Sequence, residues 1–234
     1  MQIPLYLGAE HDCSYLSGQN ARMAVVSPDT GVNSILYGIL LANGFRRSGD
    51  MVYRPQCATC SACVPVRIPV AEFRPNRSQR RVERFNADLD VTVRSATFDE
   101  EHYRLFVRYL EARHADGDMA QGSREDFMRF LGNGGWLDTR FCEFRDAAET
   151  LLAVSVVDMT PDALSAVYTF YDPACEQRSP GSFAILWQIA EARRRGLDWV
   201  YLGFWIAECR KMAYKSAFKP HQCFTRKGWE TTGA

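Results

Sequence analysis

Apolar spacing predicts an α+β fold, in which a cysteine-containing N-terminal part precedes a mixed, mostly antiparallel sheet covered by helices. Two patterns carry that expectation. From about residue 139 three alternating stretches, 139 to 145, 151 to 159 and 163 to 171, follow one another with turn material between them. A strong helical stretch, 182 to 195, then separates them from a fourth strand at 199 to 204. A chain of 234 residues that is 47% hydrophobic and 24% charged can bury a sizeable core, as one compact body or two small domains. No run approaches the roughly 18 uncharged apolar residues of a membrane-spanning helix, and no basic stretch followed by an apolar block marks an export signal. A cytoplasmic protein without a membrane partner is expected.

In chain order, Asn33 or Ser34 can cap a helix whose face carries Ile35, Leu36, Ile39 and Leu40, and Gly44 stops it. The segment 54 to 69, punctuated by Pro55, Pro65 and Pro69, reads as loop and short strands. A very basic helix runs from Pro75 to about Asn86, and Leu89, Val91 and Val93 alternate as a strand. Thr97 with Glu100 forms a capping-box pattern that opens a helix carrying Tyr103, Phe106, Val107 and Leu110. Ser123 opens another, with Phe127, Phe130 and Leu131. The helix at 182 to 195 uses Phe183, Leu186, Ile189 and Ala190 and ends at Gly196, and a last helix is expected near 209 to 218. An antiparallel meander passing through a crossover helix into a parallel strand pair is the order of an acyltransferase fold, although it also suits other α+β folds. A domain boundary is expected between 86 and 98, dividing the chain into 1–90 and 91–234.

The formal net charge of zero conceals a segregation. Residues 46 to 84 hold nine Arg and three acids, and residues 193 to 227 hold nine Lys or Arg and two acids, whereas 85 to 192 hold nine basic and nineteen acidic residues. Basic blocks are often solvated helix faces, but two that fold together form a site for a polyanion. Arg outnumbers Lys 24 to 4, which suits bidentate recognition of phosphate or carboxylate.

Eight cysteines are too sparse for a disulfide scaffold. Cys57, Cys60 and Cys63 form a C-x2-C-x2-C run, whose two-residue spacers let successive thiolates wrap one metal centre. Cys13 is a candidate fourth ligand, so the set reads either as an iron–sulfur or zinc site or as three small thiols in a tight loop. Before the crossover helix, Arg178-x-x-Gly181 resembles the turn that approaches a coenzyme A pyrophosphate, but Phe183 stands where a small residue belongs. An oxyanion or a single phosphate fits that helix start better, with Ser182 as its cap. Near the C-terminus, Lys211 and Lys215 are four apart and share a helix face beside Tyr214, an arrangement for a nucleotide end.

These motifs together resemble the aminoacyl-tRNA–protein transferases of the arginyltransferase family, in their bacterial leucine-transferring branch. The resemblance is nearly full length. It runs through Cys13-Ser-Tyr15-Leu16, Gly44 to Gly49, Val52 to Pro55, the Cys57/Cys60/Cys63 run with Pro65 and Arg67, and Arg77 to Arg81. It continues through Tyr171-Asp172-Pro173, Arg178 to Phe183, Tyr201-Leu202-Gly203 and Lys211 to Lys215. Leu16 stands where eukaryotic relatives have a second Cys, and Pro180 and Ser182 depart mildly from the pattern. The resemblance implies a GNAT-like C-terminal domain and transfer of leucine from leucyl-tRNA to the α-amino group of proteins beginning with Asp or Glu, marking them for degradation by the N-degron route. No cofactor is needed for that chemistry and DNA is not a partner.

Within that reading, Asp172 and Tyr171 would orient the amine, and Ser182 with the turn from Arg178 would hold the ester carbonyl. Lys211, Tyr214, Lys215, Arg77, Arg80 and Arg81 would bind tRNA, and Arg46, Arg47, Arg54 and Arg178 would read the acceptor carboxylate. Arginine as donor, a coenzyme-A-dependent N-acetyltransferase and a non-catalytic tRNA-binding redox module are the competing readings.

Overall fold

The computed structural model describes residues 2–113, 122–132 and 135–232. The chain opens with strands β1 (Leu5–Leu7), β2 (His11–Asp12), β3 (Asn20–Ala21) and β4 (Met23–Val26), then helix α1 (Ser34–Ala42) and the hairpin β5 (Arg46–Ser48) and β6 (Met51–Pro55). Strands β2 and β3 pair with each other, and the rest form an antiparallel sheet in the order β1-β4-β6-β5. Next come β7 (Val64–Pro69), α2 (Arg77–Phe85), β8 (Asp90–Ser95), α3 (Glu100–Arg113) and α4 (Arg124–Leu131). The meander β9 (Asp138–Arg145), β10 (Leu151–Met159) and β11 (Ala163–Tyr171) follows, then the crossover helix α5 (Pro180–Arg194), β12 (Trp199–Trp205), a 3-10 segment (Arg210–Ala217) and the hairpin β13 (His221–Thr225) and β14 (Gly228–Thr232).

These strands build an eight-stranded sheet ordered β14-β13-β7-β12-β11-β10-β9-β8. Its neighbours are antiparallel except β11 and β12, which run parallel because α5 carries the chain back across the sheet. The sheet is continuous across residue 90. Strand β7, from the cysteine-bearing part, lies between β12 and β13, so the division into 1–90 and 91–234 divides sequence while one hydrogen-bonded sheet spans it.

Each face of the sheet carries its own apolar layer. Ile68, Val157, Leu164, Leu186, Ile189 and Leu202 pack beneath α5. Leu105, Phe106, Phe127, Phe141, Val154 and Val156 pack beneath α3 and α4. Alternation along β10 explains the split, since successive side chains of a strand point to opposite faces. A third layer, including Tyr37, Leu40, Leu41, Val52 and Tyr201, joins α1 and the small sheet to the large one.

Several local expectations change. Helix α1 buries Tyr37, Leu40 and Leu41, leaving Ile35 and Ile39 65% and 49% exposed, because the layer it joins is reached from a face one position round the helix. Its expected cap holds, with Asn33 accepting from the Leu36 amide at 3.0 Å. Helix α3 is capped by Asp99, which accepts from the Glu101 amide at 2.7 Å, rather than by Thr97. Ser182 lies in the first turn of α5, whose N-cap is Ser179 at φ 54° with no side-chain cap bond. The hairpin β13–β14 adds to the expected elements, with five residues in each strand and Gly228, at φ 100°, at its turn.

Arg47, expected to read a substrate carboxylate, is 1% exposed. Its Nε and Nη2 donate to Asp158 Oδ2 and Oδ1 at 2.6 and 2.8 Å. Nη2 also reaches Leu131 O at 3.0 Å and Thr139 Oγ1 at 3.3 Å, and Nη1 reaches Gly49 O at 3.3 Å. Every side of the guanidinium is thus engaged by the fold, which joins β5 to β9, β10 and the end of α4. Asp158→Ala leaves that cation buried and unpaired and should lower unfolding stability by about 3–5 kcal/mol, whereas an apolar pair at 47 and 158 should restore most of the loss. Urea unfolding of the single and double variants measures both.

Candidate functional site

Strands β11 and β12 pair only at Ala163–Trp199, Leu164–Val200 and Ser165–Tyr201. Beyond those residues they separate, because β12 shifts register against β7 between Tyr201 and Gly203. The wedge that opens would orphan the carbonyls of β11. Arg46 fills it, its Nη2 donating to Ala166 O at 3.0 Å and Val167 O at 2.6 Å. Gly203, at φ 74°, makes the room: a Cβ there would stand 1.4 Å from Arg46 Nη1. Arg46 and Arg47 are successive residues of β5, so strand alternation sends one into the fold and the other into the wedge.

Lys215 enters the wedge from the C-terminal side, with its Nζ donating to Phe204 O at 2.5 Å and lying 3.4 Å from Met212 Sδ. Lys211 and Lys215 do not share a face. The segment that carries them is 3-10 with three residues per turn, so positions four apart are rotated away from each other. Lys211 is therefore exposed while Lys215 is 6% exposed, where a tRNA phosphate cannot pair with it from solvent. Burial, with the Arg46 charge beside it, brings Lys215 down to about 7. Among the described residues neither Arg46 nor Lys215 has a carboxylate partner.

Tyrosines and cysteines complete the wall. Tyr53 and Tyr15 are raised above the ordinary phenol range chiefly by burial, against the lowering effect of Arg46, and both sense Cys63. Tyr53 packs on Phe204 with ring centroids 6.0 Å apart. The Cys63 thiol is pushed up to about 12, first by burial and then by Cys57, Cys13 and Cys60, so the four cysteines gather at this end of the wedge. Yet among the described residues no three His, Cys, Asp or Glu side chains are placed to hold a metal ion. All four are free, half-buried thiols.

Tyr214 leads outward. Its ring is 47% exposed, its hydroxyl is raised by burial against the pull of Arg46, and it interacts with Tyr109. Tyr109 in turn packs on Tyr171 with centroids 4.9 Å apart and is raised to about 12 by burial and by Tyr171. Arg113 donates to the Tyr171 hydroxyl at 2.6 Å and pairs with Glu176. Asp172 caps the next turn, accepting from the Ala174 amide at 2.9 Å and from Arg108 at 3.2 Å. Tyr171 and Asp172 thus stand at the mouth already engaged by α3.

The turn before α5 is fastened elsewhere. Arg178 grips Asp88 through two bonds of 2.8 and 3.0 Å and donates to Phe85 O, while its own carbonyl accepts from Asn86. Its guanidinium is committed to the junction of α2 and β8. The Ser182 and Phe183 amides both bond to Ser179 O at 3.0 Å, which leaves few donors for an oxyanion. Arg54 lies over the Phe45 ring at 4.9 Å, on the strand beside β5.

Arg77, Arg80 and Arg81 are exposed on α2, and Gln79 of the same helix donates to Ala217 O at 3.1 Å. That bond sets the basic helix against the 3-10 segment of Lys211. Strand β7 between β12 and β13, and Phe73 stacked on Phe218 at 6.3 Å, interleave the same two basic blocks. Tyr109 carries no sequence signal for this site, and nothing local to Tyr15 or Tyr53 shows that the β2–β3 turn, β6 and α3 bring the three together.

The comparisons with known proteins agree with one another. Residues 11–81 match the N terminus, and residues 101–225 the C terminus, of the family described as arginine-tRNA-protein transferase. The chain is 49% identical over 224 residues to an aspartate/glutamate leucyltransferase of Nitrosococcus oceani, covering 96% of this chain and 94% of that one. Proteins of the same name from Alkalilimnicola ehrlichii and Pseudomonas aeruginosa are 47% and 49% identical over 98% and 97% of this chain, and 96% of each of them is covered. Among solved structures, the C-terminal domain assigned to a lysylphosphatidylglycerol synthetase of Agrobacterium fabrum superposes with TM-score 0.51 at 11% identity, covering 95% of this chain and 82% of that one. L-PGS from Bacillus licheniformis gives 0.50 at 11% identity over 73% of this chain and 58% of that one. These two likenesses concern the fold. With both halves matched in order and relatives aligned almost end to end, the chain belongs to the arginine-tRNA-protein transferase family.

Proposed function

We propose that this chain moves leucine from leucyl-tRNA to the α-amino group of proteins whose first residue is Asp or Glu, which marks them for degradation by the N-degron route. The names and coverage of its relatives support the donor and acceptor. The observation that carries the reading structurally is a guanidinium held in the β11/β12 wedge without a carboxylate partner among the described residues. Such a group accepts the side-chain carboxylate of an acidic N-terminal residue through charge-assisted bonds. A wedge whose Arg46 guanidinium has no described acid beside it also disfavours an arginyl donor, whose side chain would meet like charge.

The chemistry asks mainly for placement. The donor is an activated ester, and an α-amine of pKa ~7.7–8.0 is already partly neutral near pH 7. Fixing the acceptor carboxylate on Arg46, with Arg54 on the neighbouring strand, would hold that amine beside the ester carbon at the wedge mouth. Tyr171 and Asp172, fastened to α3 by Arg113 and Arg108, would orient that amine. Lys211, Arg77, Arg80 and Arg81 lie exposed and would neutralise the acceptor-stem backbone. A coenzyme-A reading finds little support at α5, whose first amides are bonded to Ser179 O.

Incubation with labelled leucyl-tRNA, or with arginyl-tRNA, and peptides beginning with Asp, Glu, Ala or Lys tests the reading. Label from leucyl-tRNA on the Asp and Glu peptides alone is expected; equal label on the Ala peptide, or none on any, would overturn it. Gly203→Ala should evict Arg46 from the wedge and raise KM for the acidic peptide by about tenfold or more, a loss of roughly 1.4 kcal/mol in binding, with tRNA affinity unchanged. Replacing Arg77, Arg80 and Arg81 by Ala should instead weaken tRNA binding and flatten its salt dependence by about two to three units of slope. A filter-binding titration in salt reads that change.

A further inference from the structure

Beyond Ser165 the edge of β11 has no strand beside it. Strand β10 pairs along β11 as far as Tyr171, whereas β12 pairs only through Ser165. Parity then fixes which main-chain groups point into the wedge, because alternate residues of an antiparallel strand turn both N–H and C=O toward the same neighbour. The Asp172 amide bonds to Leu152 O at 2.8 Å, so Phe170 and Asp172 face β10 while Thr169 and Tyr171 face away from it. Below the irregularity at Val156/Val157, the bond from the Thr160 amide to Ala163 O gives the same count. Ser165 faces β10 and Ala166 faces the wedge, where Arg46 takes its carbonyl. Arg46 satisfies Ala166 O and Val167 O and reaches no further along the strand. Among the described residues the amides and carbonyls of Thr169 and Tyr171 have no partner. Their side chains, by contrast, are engaged by the fold: Thr169 Oγ1 lies 3.0 Å from Ser155 Oγ, and the Tyr171 hydroxyl accepts from Arg113 at 2.6 Å.

We propose that the acceptor polypeptide docks on this edge as a short added strand, its main chain bonded to Thr169 and Tyr171, an inference that rests on the leucyl-transfer reading. An unpaired strand edge is a template for an extended chain. The shape of the wedge selects a chain end. At its inner limit the Arg46 guanidinium spans from the β11 carbonyls to Gly203 of β12, so a chain cannot run through. An internal strand of a folded domain, or of a second copy, would have to continue past that point, whereas a terminus stops there. Charge selects an acidic terminus. The group closing the wedge is a guanidinium with no carboxylate partner among the described residues, and the side chain of a first Asp or Glu meets it with charge-assisted bonds. The residues that follow run outward along β11 toward Tyr171, at about 3.3 Å each. Since Thr169 and Tyr171 offer only main chain, they grip the acceptor without reading its side chains, apart from rejecting proline where an N–H must donate. Such a surface suits acceptors that share nothing but their first residue.

Hexapeptides that begin with Asp and are otherwise alanine, each carrying one N-methylalanine between residues 2 and 5, test the docking on the unaltered enzyme. With labelled leucyl-tRNA, KM should rise about tenfold or more at two positions two residues apart and change little at the position between them, because donors to one strand edge alternate. A second readout needs no transfer. In protein carrying 15N-threonine and 15N-tyrosine, with the two signals assigned through Thr169→Ser and Tyr171→Phe, the Thr169 and Tyr171 amides should exchange hydrogen about tenfold more slowly once the Asp hexapeptide is added, and not with an all-alanine one. An enzyme that leucylates every N-methyl peptide alike, with both amides unprotected, overturns the docking and leaves the leucyl-transfer reading intact. Amides protected by the Asp hexapeptide in a protein that transfers no leucine refute that reading and leave the docking surface standing. Protection without peptide that grows with protein concentration places a second copy on the edge and overturns the proposal.

Discussion

The buried pair between Arg47 and Asp158 sets the position of everything at the wedge. Two bonds of 2.6 and 2.8 Å, with further bonds to Leu131 O, Thr139 and Gly49 O, lock β5 against the middle of the large sheet. A buried ion pair contributes little net stability, yet it strongly penalises any arrangement that separates its members. The consequence is register. With Arg47 fixed inward, the pleat of β5 leaves Arg46 one direction, into the gap between β11 and β12.

That gap is itself the product of connection geometry. A crossover helix makes β11 and β12 parallel, and β12 is drawn away from β11 by its longer pairing with β7. Three paired residues on one side are opposed by six on the other, so the strands diverge where β12 shifts register. The vacated β11 carbonyls then receive a guanidinium instead of a strand. Backbone satisfaction thus uses the Arg46 side chain, and Gly203 is the residue that permits it.

Electrostatics divides the surroundings into two kinds of cation. On the exposed rim, Lys211 and Arg77, Arg80 and Arg81 of α2 sit in water. Inside the wedge, Arg46 and Lys215 repel each other with no described acid between them. Burial and the neighbouring guanidinium bring the Lys215 ammonium down to about 7. Two basic blocks far apart in the chain therefore supply both an exposed basic rim and a pair of crowded cations within the wedge.

Much of this molecule was open to reading from its residues. The meander, the crossover helix and the strand after it fall almost where alternation and 3.6-residue spacing place them, because each pattern is local and each element's cap or stop lies beside it. Charge segregation, the cysteine run and the motifs shared with the transferase family are likewise properties of order along the chain. Partner choice is not. Nothing next to Arg47 distinguishes it from Arg46, and Asp158 lies 111 residues away. Lys211 and Lys215 exchange a shared face for opposite fates because tertiary packing tightened their segment into a 3-10 turn. Arg178 was claimed by Asp88, and β7 crossed into a sheet built mainly from later strands. Sequence determined which elements form and which chemistry is present, since those depend on neighbours a few residues apart. Only the tertiary structure decided which charges are spent holding the fold and which face the wedge, since that depends on desolvation and on contacts between segments that meet only once the chain is folded.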